Sequence, residues 1–295
     1  MKKTIYLLTG FMLMQLVLSA QADPPRLLLR LDDNGMNHSV TMAIKQVAET
    51  GIPFSSSVMF ACPWYQEAVS VLKQFPAVSV GVHLTLNSEW KYYRWGPVLG
   101  RSAVPSLVDS NGLFLPSSAA FLKSNFKLDE VEKELSAQIE RALGTGLKID
   151  YVDHHMGTAV STPELRAVVE KLAKKYGLGI SRYFGESYQT MFDLSVEKKK
   201  DEFLKRLDNL SKDKVNLMVM HVAEATPEMN ALVDMNNADQ HSDTTPLVAM
   251  HRNAELKTLL SPEFQKKVKN GEVKLVTYKD LVQRPGLNAM KAPAN

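Results

Sequence analysis

Cysteine is almost absent from the sequence, since Cys62 is the only one in 295 residues. A disulfide within the chain is therefore excluded. We expect Cys62 to be a small buried residue at a strand end, because free thiols usually lie in the core. The sequence also lacks internal repeats, low-complexity tracts and linkers. These absences predict one large domain that is stabilised by packing.

An excess of charge of either sign is missing as well. Lysine and arginine total 35, aspartate and glutamate total 32, and the formal net charge is +3. Nucleic-acid-binding proteins carry clustered basic residues, so no nucleic acid is expected as a partner. A glycine-rich phosphate loop is also missing, because the first predicted strand runs into LDDNGMN. This turn disfavours a dinucleotide-binding fold.

The first 22 residues have the pattern of a signal peptide. Two lysines precede an apolar run, which ends in the small-x-small motif Ala20-Gln21-Ala22. The run is shorter than the roughly 20 residues that a spanning helix needs. We therefore expect residues 1–22 to be cleaved and the mature domain to comprise residues 23–295. The mature protein is then exported, periplasmic or secreted, without a membrane anchor.

Short apolar runs alternate with segments of helical period along the mature chain. Apolar residues repeat every three to four positions in four segments, which predict helices at residues 40–48, 131–143, 162–176 and 196–210. Nearly continuous apolar runs predict strands covered on both faces, at residues 26–32, 54–60, 78–86, 149–153, 179–183, 215–222 and 273–278. This alternation predicts an α/β fold with a parallel sheet, either a barrel or a doubly wound sheet.

Two segments interrupt the alternation, residues 87–126 and residues 224–247. Long insertions after strands commonly shape binding sites in such folds. The first insertion carries an aromatic group that could stack on a sugar ring or pack the loop onto the barrel, and both interpretations stay open. The group comprises Trp90, Tyr92, Tyr93 and Trp95.

Polar side chains stand where several predicted strands end. The carboxyl ends of parallel strands gather on one face, where active sites form. A lone histidine in such a run is usually a core residue with its hydrogen bonds made, and a lone aspartate usually caps a helix or a turn. Several such residues on equivalent strand ends favour a shared metal site. The residues concerned are Asp32, Asp33, His83, Asp153, His154, His155 and His221.

A site with one carboxylate and two imidazoles suits metal-assisted hydrolysis. Three protein ligands leave a coordination position open for water, whose pKa the metal lowers. A second carboxylate can serve as general base, and a further histidine can protonate a leaving amine. Nitrogen and oxygen ligands favour one zinc ion, with magnesium, manganese, nickel and cobalt as alternatives.

These residues, in this order, resemble the YdjC-like carbohydrate deacetylases of the polysaccharide deacetylase superfamily, the family of chito-oligosaccharide deacetylase. The segments LLLRLDDNG, VSVGVHLTLN, YVDHHMG, LMVMHVA and HRNAELKTLLSP are similar to the family's blocks. The resemblance implies a single-domain α/β fold, a distorted TIM-like barrel, and an enzyme that removes N-acetyl groups from an amino sugar or its oligosaccharides.

The resemblance also implies a role for each residue. Asp32 would be the general base on a metal-activated water, and His221 the general acid. His155 is implied rather than His154 because it lies two residues after Asp153. The implied metal ligands are Asp33, His83 and His155, with Asp153 orienting a ligand and Arg252 bracing the site.

Three positions depart from the family's pattern. Arg30 stands where the family has asparagine, Asn34 replaces an aromatic residue, and Val222 replaces a proline. Because the implied ligands are all present, we expect metal binding to be retained and the substrate to differ. Adjacent strand residues point to opposite faces, so Asp32 and Asp33 can share one site only if the strand breaks at Asn34.

Other functions remain open from the sequence alone. A metal-dependent phosphoesterase would use the same metal site to hydrolyse a phosphate ester in place of an amide. Two-metal phosphatases, however, need more ligands than are found here. A metal-independent glycoside hydrolase would use Asp32 with a distant acid. An inactive, secreted carbohydrate-binding protein on the same scaffold would bind sugar without metal or turnover. The sequence does not indicate an oligomeric state.

Overall fold

The structure is a computed structural model, and it describes residues 23–236 and 247–293. The predicted signal peptide, residues 1–22, lies outside the described residues. Within the described ranges, no helix combines the length and the apolar character that crossing a membrane requires.

The centre of the fold is one curled sheet of eight parallel strands. The order of its main path is β5-β4-β3-β2-β1-β7-β6, and β8 pairs with the start of β1. The strands are β1 (Arg26–Asn34), β2 (Ser55–Val58), β3 (Ser79–Leu84), β4 (Ile149–His154), β5 (Gly179–Ile180), β6 (Ser187–Thr190), β7 (Val215–Met220) and β8 (Lys274–Val276). The α/β prediction of a distorted TIM-like barrel is confirmed.

Ten α-helices lie in the described part of the chain, most of them between strands. The helices are α1 (His38–Glu49), α2 (Tyr65–Leu72), α3 (Ser118–Lys123), α4 (Leu128–Gly144), α5 (Pro163–Tyr176), α6 (Lys199–Asp208), α7 (Pro227–Asn230), α8 (Leu247–Leu260), α9 (Pro262–Lys269) and α10 (Tyr278–Leu281). The four predicted helices correspond to α1, α4, α5 and α6. The Thr162 side chain caps α5 as the sequence suggests, by accepting from the Leu165 amide.

Strand β1 shows how the sheet separates two cores. Leu27, Leu29 and Leu31 belong to the outer core with the helices, whereas Leu28 belongs to the inner core with Tyr151 and Tyr278. Because side chains alternate along a strand, Arg30 and Asp32 follow Leu28 on the inner face. The inner face therefore changes from apolar to charged toward the carboxyl end of β1.

All seven predicted strands are present, and one further strand was not predicted. Strand β6 has the sequence SYQT, which contains no apolar run and is only partly buried. It lies at one edge of the sheet and β5 lies at the other. Periodicity cannot reveal an edge strand of this kind, because its pairing with β7 rests on the backbone.

A test of the inner core is the substitution Gly81→Ala. A Cβ atom at Gly81 would lie 2.4 Å from Cζ of the Tyr151 ring, which itself packs on Tyr278 with ring centroids 4.2 Å apart. We expect overpacking to lower the free energy of unfolding by about 1–3 kcal/mol, measured by urea denaturation. Gly144→Ala is the control, since a Cβ there meets nothing within 4 Å. Equal stability of both variants would contradict this packing.

Candidate metal centre and active site

The end of β1 turns two adjacent aspartates toward one cavity. Asp33 has a left-handed backbone, with φ 63°, and the pairing of β1 with β2 shifts register between Leu31 and Asn34. Strand β1 therefore becomes irregular between Leu31 and Asn34, as is required if Asp32 and Asp33 are to share one site. Asn34 stabilises the break from within, by donating to Ser56 Oγ at 2.9 Å. This local irregularity lets Asp32 and Asp33 serve the same site.

Three donor atoms meet beside this break. Asp33 Oδ1 lies 3.3 Å from His83 Nε2 and 3.2 Å from His155 Nδ1. All three side chains are buried, and their ligand atoms lie within 4.8 Å of one another. Metal–ligand bonds of about 2.1 Å in a tetrahedral site would separate the ligand atoms by roughly 3.4 Å. The observed spacing therefore fits a single small cation.

The hydrogen bonding of Asp33 supports the same conclusion. Its Oδ1 atom is buried, and it has no hydrogen-bond partner among the described residues, although two imidazole nitrogens lie nearby. Its Oδ2 atom accepts from Arg252 Nη2 at 2.6 Å. Buried carboxylate oxygens are rarely left unsatisfied. A cation bound to Oδ1 would satisfy it.

Each histidine of the group is held by a carboxylate on its far side. His83 Nδ1 donates to Asp153 Oδ1 at 2.9 Å, and His155 Nε2 donates to Glu89 Oε2 at 2.9 Å. Such contacts fix the tautomer and the orientation of metal-binding histidines. The sequence predicted this role for Asp153. It missed Glu89, which lies in the first insertion and carries no strand-end signal.

The surrounding carboxylates strongly favour positive charge on both imidazoles. Burial alone would lower the pKa of His83, but Asp153, Asp32 and Asp33 raise it to about 10. Burial likewise opposes protonation of His155, while Glu89 and Asp33 raise its pKa to about 9. In the absence of a cation, two protons on the histidines balance the charge of this cluster.

Asp32, the expected general base, is not free in the structure. Arg30 donates from Nε and Nη2 to its two oxygens, at 2.7 Å each. The same guanidinium lies 2.9 Å from Asp153 Oδ2 and donates to Ser181 Oγ at 2.6 Å. Asp32, His83 and Asp153 form a second group whose spacing could hold a metal ion. Arg30 contacts both of its carboxylates, so a positive charge is already present there.

His221 lies on the cavity wall at the end of β7. Its backbone amide donates to Glu255 Oε2 at 2.6 Å, and Glu255 Oε1 accepts from the buried Lys199 at 2.7 Å. Burial lowers the pKa of the His221 imidazole, although Asp33 nearby acts in the opposite direction. The Lys199–Glu255 pair thus anchors the backbone at the position predicted for the general acid.

The cavity at this end of the barrel has a volume of about 560 Å³, within the range of small-molecule sites. His154 also lines it, although the grouped donor atoms are those of His155. The two tryptophans of the first insertion are packed, each only 4% exposed, and Trp90 also lines the cavity, whereas Tyr92 is 78% exposed. Trp90 also lies against Arg252, with the guanidinium 5.7 Å from the ring centroid.

The comparisons with known proteins identify the family of the chain. A family model described as "YdjC-like protein" matches residues 26–270, which are well over half of the chain. The chain belongs to the YdjC-like family. The family resemblance seen in the sequence is therefore confirmed.

Individual relatives align with most of the chain. Carbohydrate deacetylase 1 from Listeria innocua is 27% identical over 260 residues, which are 87% of this chain and 100% of that protein. Carbohydrate deacetylase from Brevibacillus brevis is 27% identical over 261 residues, 87% of this chain and 99% of that protein. A crystal structure from Enterococcus faecalis V583, named for cellobiose-phosphate cleavage, shares 25% identity with a TM-score of 0.68, covering 88% and 99% of the two chains.

A substitution of Glu89 tests the metal centre without removing a ligand. Glu89→Gln weakens the support of His155, so we expect the affinity for a divalent ion to fall by about 10- to 100-fold. Equilibrium dialysis with metal analysis measures this change. Glu67→Gln is the matched control, since Glu67 contacts His38 Nδ1 at 2.8 Å outside the cavity. Equal affinities of the two variants would argue against the centre.

Proton release on metal binding tests the charge state of the histidines. With pKa values of about 10 and 9, both imidazoles are protonated near pH 7 without a cation, and both must lose a proton to become ligands. We expect about two protons released per ion and an apparent affinity that rises with pH. Calorimetry in buffers of different ionisation enthalpy gives the number of protons released per bound ion. Binding without proton release would contradict the ligand set.

Proposed function

We propose that the protein is a metal-dependent carbohydrate deacetylase that hydrolyses the N-acetyl group of an amino sugar or its oligosaccharides. The observation that carries the proposal is the group Asp33, His83 and His155, in which the buried Asp33 Oδ1 atom has no hydrogen bond within the described part of the chain. Asp32 lies next to this group. Membership of the YdjC-like family and relatives named carbohydrate deacetylase support the substrate class.

Asp33, His83 and His155 would hold one divalent ion, for which zinc suits the nitrogen and oxygen donors best. Such a cation polarises the amide carbonyl and lowers the pKa of water. Asp153 and Glu89 each accept a hydrogen bond from the far side of one imidazole, which orients the ring so that its other nitrogen faces the cation. Arg252 fixes the carboxylate plane of Asp33 from the other side.

Asp32 is assigned as the general base. Two-point binding by Arg30 fixes the carboxylate plane, and each carboxylate oxygen still has a second lone pair that can accept a proton from the attacking water. Positioning of this kind matters because small displacements of a reacting group are costly in rate. The departure of Arg30 from the family pattern is thus compatible with catalysis.

His221 is assigned as the general acid for the leaving amine. Its lowered pKa, caused by burial, makes the protonated imidazole a stronger acid, which favours transfer of its proton to the nitrogen of the breaking amide. The backbone hydrogen bond to Glu255 keeps the residue at the carboxyl end of β7. No other group is needed to complete the acid–base pair.

Acetate release by an Asp32→Asn variant tests the function. The amide keeps the size of the side chain but cannot act as a base, so we expect turnover of N-acetylglucosamine oligomers to fall by at least about 100-fold. The metal content should stay at one ion per chain, because Asp32 is not a ligand. Acetate assays together with metal analysis measure both quantities.

Asp193→Asn is the control, since Asp193 lines the cavity but belongs to neither of the groups of described residues that could hold a metal ion. It should retain turnover. Three outcomes would count against the proposal: full activity of Asp32→Asn, phosphate release from esters in place of acetate release, or sugar binding by the wild-type protein with neither metal nor product.

A further inference from the structure

Lys199 is a fully buried cation on the wall of the cavity. Its side chain has no exposed surface, and lysine is almost never fully buried unless it is paired. Lys199 is also the first residue of α6, where the helix dipole disfavours a positive charge. The next residue, Lys200, contacts Glu263 at the surface instead. The burial of Lys199 is therefore not explained by the stability of its helix.

Two acceptors bind the ammonium group of Lys199. Its Nζ atom donates to the carbonyl oxygen of Met191 at 2.6 Å and to Oε1 of Glu255 at 2.7 Å. Glu255 is only 3% exposed, so both members of the ion pair are buried. Buried ion pairs contribute little net stability, because the cost of removing both charges from water offsets their attraction. The pair is better explained by what the second oxygen of Glu255 does.

The second oxygen of Glu255 binds the backbone of His221. Its Oε2 atom accepts from the His221 amide at 2.6 Å. The pairing of β7 with β1 ends one residue earlier, at Met220, so Glu255 supplies an acceptor that the sheet does not. A carboxylate can accept on both oxygens, whereas an amide side chain has only one oxygen. Lys199 therefore acts on His221 through a single carboxylate that both groups share.

The position after His221 makes this contact more important. Val222 stands where the family has proline, and a proline there would restrict the backbone of the residue before it. Helix α8 supplies restraints in its place. Glu255 binds the His221 amide, and the Arg252 carbonyl accepts from the Ala223 amide at 3.3 Å. The backbone is therefore held by α8 on both sides of Val222.

We propose that Lys199 is a positioning residue for the general acid. By neutralising and orienting the Glu255 carboxylate, it holds the His221 amide and thereby places the imidazole for proton transfer to the leaving nitrogen. This inference rests on the proposed function, in which His221 protonates the amine. The metal group and Asp32 are held by other contacts, so the effect of Lys199 should be confined to the acid.

The chemistry of the leaving group separates this role from a general structural one. In amide hydrolysis the oxygen of water bonds to the acetyl carbon, the C–N bond breaks and the nitrogen takes the proton of His221. In hydrolysis of 4-nitrophenyl acetate the C–O bond breaks and the phenolate leaves as an anion without a proton. General acid catalysis is then needed for the amide and not for the aryl ester. A residue that acts through His221 affects only the first reaction.

The substitution Lys199→Met tests the inference in the metal-loaded protein. We expect kcat for acetate release from N-acetylglucosamine oligomers to fall by about 10- to 100-fold, because a misplaced reacting group is costly in rate. KM, the metal content and the metal-dependent hydrolysis of 4-nitrophenyl acetate should stay unchanged. Lys200→Met is the matched control: it removes the neighbouring surface lysine and should leave both reactions as in the wild type.

The variant His221→Ala shows whether Lys199 acts through the histidine. If it does, Lys199→Met causes no further loss of acetate release in that background, since the effects of residues that act as a unit are not additive. The inference is overturned if Lys199→Met lowers amide and ester hydrolysis equally, or if it causes the same loss in the His221→Ala background. Unchanged acetate release by the folded Lys199→Met protein would overturn it too.

A second variant keeps the test valid if Lys199→Met folds poorly, since that change leaves a buried carboxylate unpaired. Glu255→Gln keeps the shape of the side chain and one acceptor oxygen. The ammonium group of Lys199 takes that oxygen, so the amide nitrogen faces the His221 N–H and the backbone contact is lost. We expect the same pattern, with acetate release lowered and ester hydrolysis retained. Equal loss of both reactions contradicts the inference here as well.

Hydrogen exchange in the metal-free protein gives a readout that does not depend on activity. Loss of the Glu255 contact should expose about one further amide to fast exchange in the segment that contains His221, in Lys199→Met and not in Lys200→Met. If this difference is present but no acetamide tested releases acetate, the deacetylase is removed and the contact stays. If the wild type releases acetate and Lys199→Met leaves the exchange unchanged, the deacetylase stays and the role of Lys199 is removed.

Discussion

The site depends on a local excess of buried negative charge that the protein alone does not balance. Four carboxylates at the carboxyl end of the barrel are each no more than 3% exposed, and two guanidinium groups contact them. With neutral imidazoles, this cluster has a formal charge of about −2, which two histidine protons or one divalent cation can neutralise. The carboxylates are Asp32, Asp33, Glu89 and Asp153.

The backbone of β1 decides where that charge lies. A regular strand would direct Asp33 toward the outer core, away from Asp32. The left-handed conformation at Asp33 and the register shift beside it bring both carboxylates to the cavity. Arg30 then separates their environments: it holds Asp32 by two hydrogen bonds, whereas Asp33 keeps one oxygen directed at two imidazoles. Two adjacent aspartates can therefore take different roles.

Much of this arrangement could be predicted from the sequence, because strand periodicity and the polar residues at strand ends are local signals. They located candidate residues at the strand ends of one parallel sheet, and the family resemblance selected Asp33, His83 and His155 among them as metal ligands. Arg30 and Asp32 are two residues apart on one face of β1, so their proximity is a local signal as well. Long-range pairing, in contrast, is not local, so the contact of Glu89 with His155 could not be derived from spacing. The partly buried edge strand β6 was missed for a related reason, since its sequence shows no alternation.

Anomalous diffraction from crystals grown with zinc would test the central claim most directly. The account predicts one strong peak within about 2.0–2.2 Å of Asp33 Oδ1, His83 Nε2 and His155 Nδ1, with Arg30 still bound to Asp32. A peak between Asp32 and Asp153, or no peak within ligand distance of the three atoms in zinc-loaded crystals, would contradict it.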